Sequence, residues 1–353
     1  MAFKRFDPED FVISADTVTS TVWSGYQPSL DSFHTSSVQK EGTSGPYYLN
    51  VYQTASSVDG SEIQFSIAFA DSTGRGSVDF DAAVPGNSPS RTNYGQYRTL
   101  VLEDENAKFV FGSSYSGSYF YAISIERARY KEKLFPGSFN LVLSSSNANL
   151  AALHLTDDSN EVTIPTYYGT QRAFQIISGS NGSAYAGNGY SYSGSYGLFL
   201  PDISTILLNG AALDDSKTAG GTGTDDGAGI SLSTGLTANS NQDNPTKLFT
   251  HISASSGDVN SNIFKLNSQE TITSDFVFVR ARNSEFNYSE NPSFISGSTG
   301  EVIYSYFIDS PQTFPTTVGM YNNSNELLAV AKLSRPITKD FTKEALIRVK
   351  LDF

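Results

Sequence analysis

A chain of 353 residues is long enough to bury two or three cores, and its formal charge of −13 disfavours any partner held by phosphate neutralisation, so nucleic acid is set aside. Hydrophobic content is 38% and charged content only 17%, while 24 Phe and 20 Tyr stand against one Trp, which favours half-buried pleated positions over helix faces. The absence of Cys removes disulfides, thiolate metal sites and Cys nucleophiles together.

The first ten residues, Met1 to Asp10, carry Lys4 and Arg5 but no apolar stretch of signal-peptide length, so no secretory signal is expected. No apolar run approaches the roughly 20 residues that cross a bilayer, and membrane insertion is not expected. Residues 1–30 read as a docking arm, since Phe3, Phe6, Phe11 and Trp23 need a surface to cover them. That surface is either the chain's own domain or a neighbouring subunit.

Residues 31–177 read as a β domain. Alternation is visible at Tyr47 to Tyr52, Glu62 to Phe69, Lys108 to Phe111 and Phe139 to Leu143, separated by turn clusters such as Asp71 to Gly74 and Pro85 to Asn87. Such runs predict antiparallel sandwich-like or barrel-like domains with long Gly/Ser/Asn-rich loops. The charged stretch Ala122 to Leu134 is expected to be a strand leading into a loop before Pro136-Gly137.

Residues 178–262 form a loop-rich insertion or a second β subdomain, because Gly, Ser, Thr and Asn dominate on both sides of the apolar segment Leu198 to Leu213. Tyr185, Tyr190, Tyr192 and Tyr196 cluster there and suit a contact loop, since Tyr combines a flat apolar face with a hydroxyl. A six-residue echo, Ser114 to Tyr119 and Ser191 to Tyr196, is too short and too biased in composition to establish a duplication.

Residues 263–353 are expected to form a sandwich-like β domain with strands at Asp275 to Ala281, Glu301 to Ile308 and Leu346 to Phe353. In the last of these, Ile347, Val349 and Leu351 face one way and Arg348, Lys350 and Asp352 the other. Thr317 to Lys332 reads as a hairpin around Asn322 to Asn325.

That hairpin, Val318-Gly319-Met320-Tyr321-Asn322, then a turn, then Glu326-Leu327-Leu328-Ala329-Val330-Ala331 ahead of Pro336, resembles a segment of tail, baseplate and fibre-attachment proteins of contractile-tailed, myovirus-type bacteriophages. Ala281 to Ser289 and Ile125 to Lys133 are similar to stretches of virion proteins of the same phages. The resemblance covers the C-terminal segment and one central stretch. It implies a structural, non-enzymatic virion protein assembled in the host cytoplasm. Its implied partners are other tail proteins in a homo-oligomer or hetero-complex, with a host-surface glycan as partner if the chain is instead a receptor-binding fibre or adhesin. A capsid-decorating protein is a second alternative.

No residue pattern argues for chemistry. His34, His154 and His251 are far apart and form no zinc spacing. The Ser113 to Gly117 run lacks the strand-turn-helix setting of a serine nucleophile. Glu103, Asp104 and Glu105, or Asp157 and Asp158, are the acids a glycosidase would need, yet their spacing is that of ordinary turns. Asp214-Asp215 and Asp225-Asp226 offer oxygen ligands without calcium-loop order. No catalytic residue, metal or cofactor is assigned.

Overall fold

The computed structural model describes residues 4–36, 46–84, 87–111, 115–145, 152–184, 196–215, 229–255 and 262–352, with backbone alone at Tyr115 and Ser116. The protein is mainly antiparallel β, as the alternation predicts. It divides into two compact units, a central one of Val18–Glu270 and a terminal one of Met1–Thr17 with Thr271–Phe353. The division falls inside β1 (Phe11–Thr21) and β17 (Asn267–Ala281).

In chain order the central unit holds β2 (His34–Thr35), β3 (Tyr48–Tyr52), β4 (Ile63–Asp71), α1 (Pro89–Leu102), β5 (Phe109–Phe111), β6 (Tyr115–Gly117) and β7 (Tyr119–Ile125). Next come β8 (Lys133–Leu134), β9 (Asn140–Leu143), β10 (Leu153–Asp157), β11 (Thr166–Tyr168), β12 (Gln171–Ser180) and β13 (Ser183–Ala184). The last are β14 (Gly197–Leu200), β15 (Thr205–Asn209), α2 (Gly210–Asp214), α3 (Asp243–Ala254) and β16 (Phe264–Lys265). A curled half-barrel of ten strands runs in the order β16-β9-β10-β12-β14-β15-β7-β4-β3-β2, with β11 and β13 attached to β12.

Strict alternation along these strands sends side chains to two separate cores. Tyr121, Ile123 and Ile125 of β7, Ile206 and Leu208 of β15 and Phe199 of β14 join a large cluster on one face, with Leu248 and Ile252 of α3 packed into it. Their neighbours Phe120, Ala122, Leu207, Leu198 and Leu200 enter a smaller cluster on the other face, under α1 through Tyr94 and Val101 and under the short β5–β6 hairpin.

The two ends of the strand path are joined by a reciprocal backbone pair. The Leu30 N–H donates to the Phe264 carbonyl at 2.8 Å, and the Phe264 N–H donates to the Leu30 carbonyl at 3.2 Å. Phe264 belongs to the edge strand β16, and Leu30 lies just before the opposite edge strand β2. Around this stitch the rings of Trp23, Phe65 and Phe139 stand 4.8, 5.3 and 6.1 Å from Phe264.

The two longer helices, like the short α2, were not anticipated from the sequence. α1 starts at Ser88-Pro89, where Pro sits in the first turn and needs no N–H partner. α3 (Asp243–Ala254) falls inside residues 178–262, where loop or strand was expected, and is held by the buried Asn244. The Asn244 amide donates to the carbonyls of Gly76 and Gly235 at 3.0 Å each, and its oxygen accepts the Gly235 N–H at 2.8 Å. At Gly76 (φ +75°) a Cβ would meet Asn244 Nδ2 and the Gly235 carbonyl at 2.5 Å, so the site requires glycine.

In the terminal unit β17 lies between β1 and β20 (Ala345–Asp352), paired with β20 from Ser274↔Asp352 to Ala281↔Ala345. The remaining elements are α4 (Tyr306–Asp309) and the hairpin β18 (Thr317–Tyr321) with β19 (Leu327–Lys332). The strand expected at Glu301 to Ile308 is absent. Val302 makes one bridge to Ile295 and the chain then turns into α4, where Phe307 packs 5.0 Å from Phe294. The four segments read from the sequence also differ from the division found: β14 and β15, inside residues 178–262, pair with β12 and β7 in the central sheet.

Removing the ring at the stitch should be costly. Phe264→Ala is expected to destabilise the central unit by about 3–5 kcal/mol. Urea unfolding followed by the emission of Trp23, the only Trp in the chain, reads the lowered midpoint at the hub itself.

Candidate interaction surface

The terminal unit has an unusual distribution of apolar side chains. Among the described residues its buried apolar side chains are Val277, Phe294 and Val349, while every other one in the protein lies in the central unit. Yet fifteen of the twenty-six large apolar side chains exposed among the described residues belong to it. Three buried side chains are few for a domain of that size to stand on core burial alone.

The hairpin β18–β19 carries much of this exposure, at Tyr321, Leu327, Leu328 and Val330, with Leu328 67% exposed. Its turn is closed by its own hydrogen bonds. Asn322 Oδ1 accepts the N–H groups of Ser324 and Glu326 at 3.0 and 2.8 Å, the Asn322 N–H donates to the Glu326 carbonyl at 3.0 Å, and Asn325 takes the left-handed conformation the turn requires (φ 61°). A two-stranded sheet by itself is marginal in water, so such a hairpin needs cover from another surface.

Below it runs a cleft of about 940 Å³ lined by Phe6, Phe11, Phe286, Tyr321, Val330 and Lys339 among others. Lys339 is fully buried. Its ammonium donates to the Asn283 carbonyl (3.0 Å), Asn287 Oδ1 (2.8 Å) and the Asp340 carbonyl (3.0 Å), and its backbone exchanges two 2.9 Å bonds with Thr313. Three donors on three oxygens make it a structural pin. At the cleft's rim Lys4 pairs with Glu285 at 2.9 Å, and the Arg282 N–H together with Lys4 holds the Glu285 carboxyl below its usual range.

The residues singled out from the sequence meet different fates. Phe6 and Phe11 pack ring to ring at 5.3 Å within the terminal unit, and Phe11 remains 50% exposed. Residues 4–17 belong to the same compact unit as the C-terminal segment. Trp23 is a correction: it is 2% exposed in the aromatic hub, so it is not offered to a partner. Tyr196 is likewise 1% exposed in the large core, its N–H donating to the Ile176 carbonyl at 2.8 Å. Phe3, Tyr185, Tyr190 and Tyr192 lie outside the described residues, as do Ser113, Ser114, Asp225, Asp226 and the Pro85-Gly86 turn.

The acidic candidates serve as turn and loop anchors. Asp157 accepts the Gly137 N–H at 2.7 Å, Asp158 accepts that of Gln175 at 2.9 Å, and Asp214 takes the Tyr119 hydroxyl and both the N–H and hydroxyl of Thr234 at 2.8 Å each. Among the described residues no group of three or more His, Cys, Asp or Glu converges on a metal position. His251 sits on α3 with Nδ1 2.6 Å from the Ser144 carbonyl.

Comparison with known proteins finds no match to a family model, a curated protein or a solved structure.

Lys339→Met leaves three oxygens without their donor and is expected to cost about 3 kcal/mol. Faster amide exchange at residues 283–287 and 339–340, with the central unit unchanged, checks it. Burial raises the Asp157 carboxyl from 3.8 to about 6 despite the Gly137 N–H. The folded state thus binds this proton more tightly than the unfolded chain does, and the penalty of ionising it appears as pH rises from about 4 to 6 and is complete above that. Asp157→Asn should gain on the parent by roughly 2–3 kcal/mol across that window. Melting temperatures of both proteins at pH 4, 5, 6 and 7 measure the divergence.

Proposed function

We propose that this chain is a non-enzymatic structural component of a contractile phage tail, in the baseplate or at a fibre-attachment region, and that it works through subunit contacts. The observation that carries the reading is the terminal unit's pairing of three buried apolar side chains with an exposed, well-turned hairpin. Such a unit gains its missing burial when a neighbour covers it, as in an obligate interface, where the contact resembles a core divided between subunits. The resemblance of Val318 to Ala331 to virion hairpins coincides with that segment, which joins the two lines of support. The partner is another tail protein or a further copy of this chain, and the setting is the virion.

The reading is tested in particles. Leu327→Ser with Leu328→Ser changes only exposed side chains, so the purified chain should fold and melt as the parent does. Incorporation into tails, measured by mass spectrometry of purified particles, should fall at least about tenfold for the loss of two central apolar contacts. Absence of the parent chain from every particle, or normal incorporation of the variant, would count against the proposal.

A further inference from the structure

A second feature, in the central unit and independent of the hairpin, is a small pocket between the sheet and α1. Its floor follows from register. β3, β4 and β7 are neighbours, with Tyr48↔Ala68↔Ala122 and Asn50↔Ser66↔Ser124 forming two cross-strand rows. Side chains two apart on a strand share a face, so Tyr48 and Asn50, Ser66 and Ala68, and Ala122 and Ser124 all point toward α1. Small residues at Ser66, Ala68 and Ser124 leave space there, and the helix supplies Asn93, Gln96 and Tyr97 as a wall. The resulting recess is about 250 Å³, equal to roughly eight waters at 30 Å³ each, the scale of one sugar ring.

Its chemistry is narrow. Among the described residues the lining holds no charged side chain: it is Tyr47, Tyr48, Tyr97, Ser66, Ser124, Asn93, Gln96 and Ala68. Tyr47 and Tyr48 stand at the mouth, 43% and 38% exposed, with rings 5.7 Å apart at 81°. Two perpendicular rings make a corner with one flat apolar wall and one edge, and not a slot for a planar base. The hydroxyls of Tyr97 and Ser124 share one hydrogen bond at 3.0 Å, so the pair keeps one donor and further lone pairs. Ser66 donates to Asn50 Oδ1 at 2.6 Å and so presents its own oxygen as an acceptor, while Gln96 is exposed with an amide that both donates and accepts. The mouth is braced from behind, because the Tyr48 carbonyl accepts the amide of buried Gln242 at 2.8 Å.

We propose that this pocket binds a neutral pyranose, one face of the sugar lying on Tyr47 or Tyr48 and its hydroxyls meeting Gln96, Ser66 and the Tyr97–Ser124 pair. A ligand with an apolar face and a rim of hydroxyls is what an aromatic corner with neutral donors and acceptors recognises. A carboxylated or phosphorylated sugar would find no cation among the described lining residues, and the chain's net charge of −13 opposes it further.

The test uses the full chain and saturation-transfer NMR with maltotriose, cellotriose, mannotriose and chitotriose, and with trigalacturonate as the acidic probe. At least one neutral trisaccharide should bind, and trigalacturonate should not. Tyr48→Ala or Tyr47→Ala should weaken binding about tenfold, the scale of one lost ring contact. Tyr48→Phe should keep most of it, and Tyr167→Ala, at another exposed Tyr, should leave it unchanged. The substituted rings are at the surface, and an unchanged melting temperature confirms that each variant is folded. The proposal is overturned if no neutral trisaccharide binds the folded parent, if binding survives both alanine substitutions, if trigalacturonate binds better, or if an aromatic-proline peptide takes these residues in preference to sugar. None of these outcomes bears on hairpin incorporation, so the two proposals fail separately.

Discussion

The central unit depends on closing an open sheet. A curled sheet of ten strands has two edges, each a row of unpaired backbone groups that invites association with another chain. Here the Leu30–Phe264 exchange satisfies backbone groups next to both edges at once, and the ring of Phe264 fills the gap with Trp23, Phe65 and Phe139. The hydrogen bonds set the register and the rings exclude water from it. Neither part is sufficient alone, because a backbone pair open to water contributes little net stability and aromatic packing by itself specifies no register.

The two units solve the burial problem in opposite ways. The central sheet uses both faces of its middle strands, so that neighbouring residues such as Tyr121 and Ala122 enter different cores. The terminal sheet buries one pair, Val277 against Val349, and leaves Phe276 on its other face beneath Arg348 and Lys350, 5.3 and 6.0 Å from the ring. Long cationic side chains cover an aromatic there in place of a second layer. The result is an asymmetry: one unit buries two cores, and the other leaves much of its apolar surface exposed.

Much of the fold was legible in the sequence because strands with one or two buried faces announce themselves by alternation. Tyr48 to Tyr52, Ile63 to Asp71 and Ala345 to Asp352 sit where the pattern placed them, and the hairpin around Asn322 was marked by its turn residues. The Glu301 to Ile308 run failed because aromatic and β-branched residues there pack locally, Phe307 on Phe294, and never form a ladder. α1 was hidden by Gly95, Asn93 and two Tyr, all weak helix formers, although Ser88-Pro89 is a start signal in plain view. Trp23 and Tyr196 show the limit for sites: an aromatic beside turn residues reads as exposed until tertiary packing, invisible in a single sequence, places it in a core. The Tyr47, Tyr48 and Tyr97 pocket was equally hidden, since it exists only where cross-strand register sets small residues against a helix.

The hydrogen-bonded loop at Asn322 has one further implication. Because that side chain already satisfies two backbone N–H groups of the loop, the turn joining β18 to β19 holds its own geometry. A turn fixed in this way has little chain entropy left to surrender, so if another surface covers the finger, the turn meets it as a key already cut, at a rate set by orientation and encounter frequency.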